Sequence, residues 1–318
     1  MRSPRLSPTA YRRLVAATLA SLVFIMVTGA AVRLTQSGLG CSTWPSCDAD
    51  SFAPRSASDW HGMVEWVNRL ITGAVMVFTL AAVLGARWRP YRRDLFLLSL
   101  GLPAWVFANA LVGALVVVLD LSPVSVIGHF LLSLGAVANA VVLLDRAGRE
   151  PGEAPALAGG ARSATPSMLR ACWGLVAAAS VVIVSGTVVT GSGPHAGDDS
   201  ADRLPLAVHS AVRVHGICMV VFLALTVWVI RRAQRGDASP VVGHRLHQLL
   251  VVLVAQAAIG YWQYFTGVPA LLVGFHVFGA ALVWIAVLRV LLAAGAPEPE
   301  VEAAGFGIEP VRATMGTW

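Results

Sequence analysis

The sequence has no lysine and few charged residues of any kind. Arginine supplies all 23 basic residues, and charged residues make up only 13% of the chain, against 57% hydrophobic residues and a mean hydropathy of +0.72. This balance excludes a soluble globular domain and is typical of a polytopic membrane protein. The net charge of +6 lies mainly in the connections between apolar runs. It therefore indicates membrane orientation rather than nucleic-acid binding.

Long apolar runs account for most of the chain. A helix needs about 20 apolar residues to cross the hydrocarbon core of a bilayer. The first run is too long for a signal peptide and has no clear small-residue cleavage site, so we expect it to be retained. The sequence predicts an all-α integral membrane protein with eight transmembrane helices. The expected spans are residues 12–32, 61–86, 94–119, 123–145, 168–191, 207–231, 246–266 and 269–293.

Charge alternates from one connection to the next. Arginine is concentrated in residues 1–13, 87–93, 146–170 and 231–245, whereas the other connections carry aspartate and few arginines. By the positive-inside rule the arginine-rich segments face the cytoplasm. We therefore expect a multi-pass protein of the cell membrane with both termini in the cytoplasm.

The chain contains an internal repeat. The segment "VTGAAVRLTQSG" at the end of the first span resembles "VSGTVVTGSG" at the end of the fifth. The interval from Gly113 to His129 equals that from Gly260 to His276, sixteen residues in each case. Because each half has an even number of spans, both halves enter the membrane from the same side. The sequence predicts two pseudo-symmetric four-helix bundles related by an axis along the membrane normal.

The repeat divides the chain into four parts. Residues 1–146 form the first half and residues 168–295 the second. A cytoplasmic linker rich in Pro, Gly and Ala covers residues 147–167, and the tail at 296–318 is expected to be disordered.

Four polar residues lie at one depth in the predicted bundles. His129 and His276 lie about 10 Å below the outer surface, and Asn68 and His215 lie at a similar level in spans two and six. A single membrane histidine can simply bond a neighbouring helix. Two repeat-related histidines at matched depth instead favour heme ligation, because facing imidazoles in a four-helix bundle hold heme iron. We expect His215 and His276 to bind heme, with His129 as a ligand in the first half.

The remaining histidines are shallow. They are expected to be solvated or interfacial, and they are His61, His195, His209, His244 and His247. His61 and His209 begin spans two and six, so these two are the candidates for a functional role.

Span two carries a carboxylate within the bilayer. Glu65 shares one helical face with His61 and Asn68. A carboxylate at this depth is costly unless it is neutral, paired or catalytic. Two interpretations are open: an ion pair with Arg69 or Arg213, or a carboxyl group that exchanges protons beside a substrate.

Only four cysteines are present. Cys41 and Cys47 lie in an outer connection, where oxidising conditions favour a disulfide. That disulfide is either a structural staple or a pair that exchanges electrons or relays a cofactor. Cys172 and Cys218 lie in spans five and six and are expected to be small buried apolar residues. The outer pair lacks the further ligands that zinc requires.

These features resemble the heme A synthase family, in an actinobacterial-type version with eight transmembrane helices. The resemblance covers residues 10–293 and rests on "GLGCSTWPSC", "EWVNR", "TGSGPHAGD" and the histidines of spans four, six and eight. It implies a membrane oxidoreductase that oxidises the C8 methyl group of heme O to a formyl group, giving heme A for terminal oxidases.

The resemblance also implies roles for individual residues. Heme b is expected between His215 and His276, and the substrate heme O near His129. Glu65 occupies the position of the essential glutamate of the family, and arginines near the mouth of the site are expected to hold heme propionates. The arginines concerned are Arg69 and Arg213.

The sequence departs from the family pattern at several positions. Asn68 stands where the pattern Glu-x-x-His-Arg has its histidine, which leaves His129 as the ligand of the substrate heme, with water as the candidate opposite. Gly216 stands where an arginine is expected, so Arg213 is the candidate for that charge. The second outer loop has no cysteine pair, which allows only one outer disulfide.

The resemblance implies heme O as substrate. The expected partners are heme O synthase, an electron donor, membrane lipid and further copies of the chain in a homo-oligomer, and no nucleic acid is expected. Electrons are expected to pass through heme b to the first half. The alternatives are a quinol-oxidising b-type cytochrome and a heme transporter or chaperone. Glu65 favours the enzyme, because electron transfer alone needs no membrane carboxylate at that position.

Overall fold

A computed structural model of the chain describes residues 6–56, 58–89, 92–149 and 163–296. Most of the expected linker and all but the first residue of the expected disordered tail lie outside these ranges. The described residues form eight long helices, with a π-helical turn at Ala233–Asp237 between the sixth and the seventh. The helices are α1 Pro8–Leu34, α2 Trp60–Arg87, α3 Arg93–Val118, α4 Pro123–Ala147, α5 Pro166–Ser192, α6 Val208–Arg232, α7 Pro240–Phe265 and α8 Ala270–Ala294.

All eight helices are long and apolar enough to cross a membrane. The expected all-α integral membrane fold is therefore confirmed. Most of the expected spans agree with the helices to within two residues, because the apolar runs are bounded by charged or turn-forming segments.

The start of α7 was predicted wrongly. The expected span began at residue 246, but the helix begins at Pro240, directly after Ser239. Proline is favoured in the first turn of a helix. The N–H groups of that turn have no partner within the helix, so the missing N–H of proline costs no hydrogen bond. Val242 is fully buried and anchors this first turn. The same reason applies to α1, which begins at Pro8 rather than residue 12 and has Ser7 as its N-cap.

The helix contacts repeat between the two halves. In the first half α1 packs on α2 and α4, and α3 packs on α2 and α4. In the second half α5 packs on α6 and α8, and α7 packs on α6 and α8. The two halves meet where α4 contacts α5 and α8, and where α1 contacts α8. Each contact in one half thus has a counterpart in the other.

The two ends of the helix array differ. The disulfide end is the end that carries residues 35–56 and 193–207, and the arginine-rich end is the end that carries residues 88–89 and 233–239. The two loops of the disulfide end are joined directly, because Gly38 N donates to Gly197 O at 2.8 Å. Near the middle of the array, Trp284 Nε1 on α8 donates to Leu134 O on α4 at 3.1 Å.

Tight packing is concentrated toward the arginine-rich end. The buried residues of α3 lie at or before Val106 and those of α7 at or before Leu253. The buried residues of α6 lie at or after Phe222, and those of α8 at or after Gly279. The disulfide-end half of each of these four helices is therefore less densely packed than its other half. The expected histidine ligands all lie in that half of their helices.

Candidate functional site

Two histidine rings face each other in the second half of the chain. The ring centroids of His215 on α6 and His276 on α8 are 6.4 Å apart, and the ring planes are inclined by 75°. The pair lies in the loosely packed part of the bundle, because the buried residues of α6 begin only at Phe222 and those of α8 only at Gly279. The structure thus brings together the two histidines that the sequence named as candidate heme ligands.

Hydrogen bonds fix the orientation of His215. Its Nδ1 atom lies 3.1 Å from the carbonyl oxygen of Val182 and 3.1 Å from the hydroxyl of Ser185, both on α5. A carbonyl oxygen can only accept, so Nδ1 carries the proton and donates it. The Nε2 atom then has a free lone pair, which is the state that binds a metal.

Glycines on the neighbouring helices make room for both rings. A Cβ atom at Gly186 would lie 3.1 Å from Cε1 of His215, and one at Gly260 would lie 3.0 Å from Cε1 of His276. These separations are tighter than ordinary van der Waals contact, so a larger residue would displace the rings. The Nδ1 atom of His276 is buried and has no hydrogen-bond partner among the described residues.

His129 occupies the corresponding place in the first half. A Cβ atom at Gly113 on α3 would lie 3.4 Å from its Cε1 atom. The single hydroxyl proton of Ser133 has two acceptors within reach, Oδ1 of Asn109 at 2.8 Å and the backbone carbonyl oxygen of His129 at 3.0 Å. The Nδ1 atom of His129 is buried without a partner in the described part of the chain. Both His129 and His276 therefore have a glycine of the preceding helix against the ring.

Asn68 lies on α2 opposite the end of α1. Its Oδ1 atom is buried and has no partner within the described ranges. An open groove of about 330 Å³ lies beside it, between α1 and α2, and is lined by Thr28 and several apolar residues. A Cβ atom at Gly29 would meet no described atom within 4 Å. The first half thus has open space where the second half holds a histidine ring.

Glu65 is held by two donors at the disulfide end of α2. The residue is 6% exposed. Its Oε2 atom accepts a hydrogen bond from Cys41 N at 2.8 Å, and its Oε1 atom accepts one from Arg69 Nη2 at 2.5 Å. Of the two arginines considered as ion-pair partners, Arg69 is the one in contact, while Arg213 is exposed on α6.

Arg69 also holds the loop above Glu65. Its Nη1 atom donates to the carbonyl oxygens of Thr43 at 2.9 Å and Ser46 at 3.0 Å. These two residues lie inside the loop closed by the disulfide between Cys41 and Cys47. The predicted disulfide is present, and it packs directly against the Glu65–Arg69 pair.

The remaining cysteines and shallow histidines have other surroundings. Cys172 is buried and Cys218 is partly buried, and neither is in a disulfide. His61 Nδ1 lies 3.1 Å from the hydroxyl of Ser37, and His195 Nε2 lies 2.9 Å from the carbonyl oxygen of Val268. In the ranges that the structure describes, no three His, Cys, Asp or Glu side chains converge to hold a metal ion.

The sequence-based reasoning missed the groups that support the histidines. Ser185, Gly186 and the carbonyl of Val182 orient His215, although the repeated segments that contain Gly29 and Gly186 were recognised. The equal Gly–His intervals in spans three to four and seven to eight were the available signal for the packing of His129 and His276. The bond from Cys41 N to Glu65 had no signal in the sequence, because it depends on the path of a loop.

Comparison with known proteins gives a consistent match. The model of the COX15-CtaA family, described as cytochrome oxidase assembly protein, matches residues 12–197. A heme A synthase of Bacillus licheniformis is 30% identical over 129 residues, which is 40% of this chain and 41% of that relative. A heme A synthase of Bacillus pumilus is 30% identical over 125 residues, 38% of this chain and 40% of the relative. A heme A synthase of Bacillus cereus is 32% identical over 126 residues, 38% of this chain and 39% of the relative. The chain therefore aligns with less than half the length of these curated relatives.

Proposed function

The chain belongs to the COX15-CtaA family of cytochrome oxidase assembly proteins, and from this premise we propose that it is a heme A synthase. The proposed reaction is the oxidation of the C8 methyl group of heme O to a formyl group. The observation that carries the proposal is the facing pair of His215 and His276, with the Nε2 lone pair of His215 left free. The names of the relatives support heme A as the product, and the facing imidazoles support a heme site.

The spacing of the two rings fits a heme iron. Bonds of about 2 Å from a metal to each imidazole nitrogen, extended to the two ring centres, separate the centroids by roughly 6 Å. The observed centroid separation is 6.4 Å. The looser packing of α6, α7 and α8 at the disulfide end supports room for the porphyrin. We assign heme b to this pair as the resident cofactor.

The first half is proposed to receive the substrate heme. His129 lies on α4, and His276 lies at the corresponding place on α8. A glycine of the preceding helix lies against each ring. We assign His129 as the protein ligand of heme O. Residues 1–146 would then form the substrate half and residues 168–295 the heme b half.

Glu65 is assigned the catalytic proton-handling role. A carboxylate oxygen has two acceptor positions, and each oxygen of Glu65 uses one for Cys41 or Arg69. A further position on each oxygen can accept a proton while the side chain stays in place. A bound heme would use oxygen to supply the strong oxidant that an unactivated methyl group requires, and the chain would contribute position, exclusion of water and proton transfer.

Of Arg69 and Arg213, Arg213 is the better candidate for binding a heme propionate. It is exposed two residues before His215, on the loosely packed half of α6. The guanidinium of Arg69 is already engaged by Glu65 and by the carbonyls of the disulfide loop. We therefore assign Arg69 to holding the loop and Arg213 to binding a propionate.

Location and partners follow from the same proposal. The arginine-rich end would face the cytoplasm, with both termini on that side. The substrate would come from heme O synthase in the same membrane, and an electron donor would reduce heme b.

Pigment extraction tests the proposed function. The chain is expressed in cells that make heme O but have no other enzyme for heme A, and the hemes are separated by chromatography. Heme A in the extract is the expected result. Heme b alone, with the protein present in the membrane, would favour a b-type electron-transfer protein and overturn the proposal.

A further inference from the structure

Arg33, at the end of α1, reaches across the interface between the two halves. Its Nη2 atom donates to the carbonyl oxygen of Thr190 on α5 at 2.7 Å. In the internal repeat these two residues are equivalent, because aligning Gly29 with Gly186 also aligns Arg33 with Thr190. A residue that bonds to its own repeat equivalent lies close to the axis that relates the two halves. The Arg33 side chain therefore crosses the centre of the interface and ends against the second half.

A second arginine is held beside the first. Leu204 donates its backbone N–H to the carbonyl oxygen of Gly191 at 2.9 Å, which fixes the loop to the end of α5. This contact places Arg203 at the same end of α5, and the positive charges of Arg33 and Arg203 are close enough to repel each other. The two Nη atoms of Arg203 donate to carbonyl oxygens of its own loop at 2.7 and 2.9 Å. The second cation is thus fixed in position.

No carboxylate of the described residues compensates these two charges. Neither guanidinium forms an ion pair within the described ranges. Two aspartates of the same loop are engaged elsewhere, because Asp198 accepts from Ser200 at 2.6 Å and Asp199 accepts from Gln36 at 3.5 Å. The Nε atom of Arg33 is buried and has no hydrogen-bond partner among the described residues. An uncompensated cation with an unpaired buried donor costs free energy, so the pair is suited to binding an anion.

On the side of α5, this cationic pair lies next to the ring of His215. Gly186 and Thr190 are four residues apart, so they share one face of α5 and are separated by about 6 Å along the helix. The His215 ring lies against Gly186, where a Cβ atom would be 3.1 Å from Cε1. The guanidinium bonded to Thr190 O therefore lies about one turn from the imidazole, toward the disulfide end.

On the side of α8, the same region borders His276. Leu34 follows Arg33, and its Cδ1 atom would lie 3.6 Å from a Cβ atom at Gly274. Gly274 comes two residues before His276 on α8. A porphyrin between the two imidazoles extends beyond its iron in every in-plane direction. Its edge toward the disulfide end would thus approach the cationic pair.

We propose that Arg33 and Arg203 form a carboxylate-binding site that holds one propionate group of the heme b assigned to the second half. The inference rests on the proposed function, because it requires a heme between the facing histidines. Arg213 would bind the other propionate, from α6. Ferric heme carries one more positive charge than ferrous heme, so nearby cations disfavour the ferric state. The pair is therefore expected to raise the midpoint potential of heme b.

Redox titration and resonance Raman spectroscopy of the purified full-length protein test this inference. Arg33→Gln and Arg203→Gln should each shift the midpoint potential of heme b to a lower value and move the propionate bending band, with heme b retained. Arg33→Lys keeps the charge and should restore most of the potential. Arg55→Gln is the matched control, because it removes the same charge at the same end from a side chain that is 67% exposed. It should leave the potential and the band unchanged.

Two outcomes would assign the arginines a different role. If Arg33 only clasps α1 to α5, Arg33→Gln lowers the apparent Tm, while Arg203→Gln, which leaves the bond to Thr190 intact, keeps the parent potential and band. That result overturns the inference. A lowered potential with an unchanged propionate band would show that a dissolved anion occupies the site, and it would also overturn the assignment to a propionate.

Failure of this inference can be distinguished from failure of the proposed function. If the parent protein holds heme b and both glutamine variants have its potential and band, the propionate site is refuted and the heme site stands. If the parent protein holds heme b but makes no heme A, the proposed reaction alone fails, because both measurements are made on the resident heme. A parent protein without heme b would refute the heme b assignment and the inference together.

Discussion

Replacing Glu65 with glutamine separates a catalytic role from a structural one. Glutamine keeps an oxygen that can accept from Cys41 N, but its amide presents a donor to Arg69 and carries no charge. Breaking a buried ion pair by removing one partner costs about 3–5 kcal/mol. Arg69 is 18% exposed and retains the carbonyls of Thr43 and Ser46 as acceptors. The expected loss of stability is therefore at the lower end, about 3 kcal/mol.

The assay measures thermal unfolding in detergent, heme b content and heme A production in one preparation. We expect Glu65→Gln to lower the apparent Tm, to keep heme b near the parent level and to stop heme A formation. Heme b should remain because its proposed ligands lie on α6 and α8, away from α2.

A matched control is available at the other end of the array. Asp145 and Arg149 form a second i,i+4 pair on and after α4, at 2.6 Å, with side chains 28% and 15% exposed. Asp145→Asn removes the same kind of ion pair without touching the proposed site, so it should lower the apparent Tm and leave heme A production intact. Normal heme A production by Glu65→Gln would refute the catalytic role. Parallel loss of protein yield and heme b would show that the carboxylate is structural.

Three further outcomes are expected. His276→Ala should remove most of the low-spin heme b absorbance, whereas His244→Ala at the arginine-rich end should not; an unchanged spectrum in the first variant would disprove the ligand assignment. Thiol labelling of the 41–47 loop should require prior reduction, and labelling without a reductant would contradict the disulfide. Gly186→Ala should lower heme b content by pushing the adjacent imidazole out of place, while Gly174→Ala on the same helix, where a Cβ atom meets its nearest neighbour only at 4.0 Å, should not. Equal heme content in the two glycine variants would show that this close packing does not position the ring.

The fold could be predicted from the sequence because membrane spans depend on composition over long stretches. Apolar runs bounded by arginines or prolines located all eight helices. The early start of α7 was missed because residues 240–245 are mixed in composition, and their helix is anchored by the burial of Val242 rather than by hydropathy.

The candidate site could be predicted only in part. The depths of His129, His215 and His276 in the membrane could be predicted, because an α-helix rises by a constant distance per residue. The partner of Glu65 was left open between two arginines, because the choice depends on how the disulfide loop folds over α2. The open groove beside Asn68 could not be foreseen, since it is a property of packing between two helices rather than of either helix alone.

Conversion of heme O by the purified protein tests the central claim most directly. The protein is loaded with heme O in detergent, reduced chemically and exposed to oxygen, and the extracted pigments are analysed by mass spectrometry. The proposal predicts a product in which the methyl group has gained one oxygen atom and lost two hydrogen atoms, formed by the parent protein and not by Glu65→Gln. Recovery of unchanged heme O from a parent protein that retains its heme b and its disulfide would contradict the assignment of heme A synthase activity.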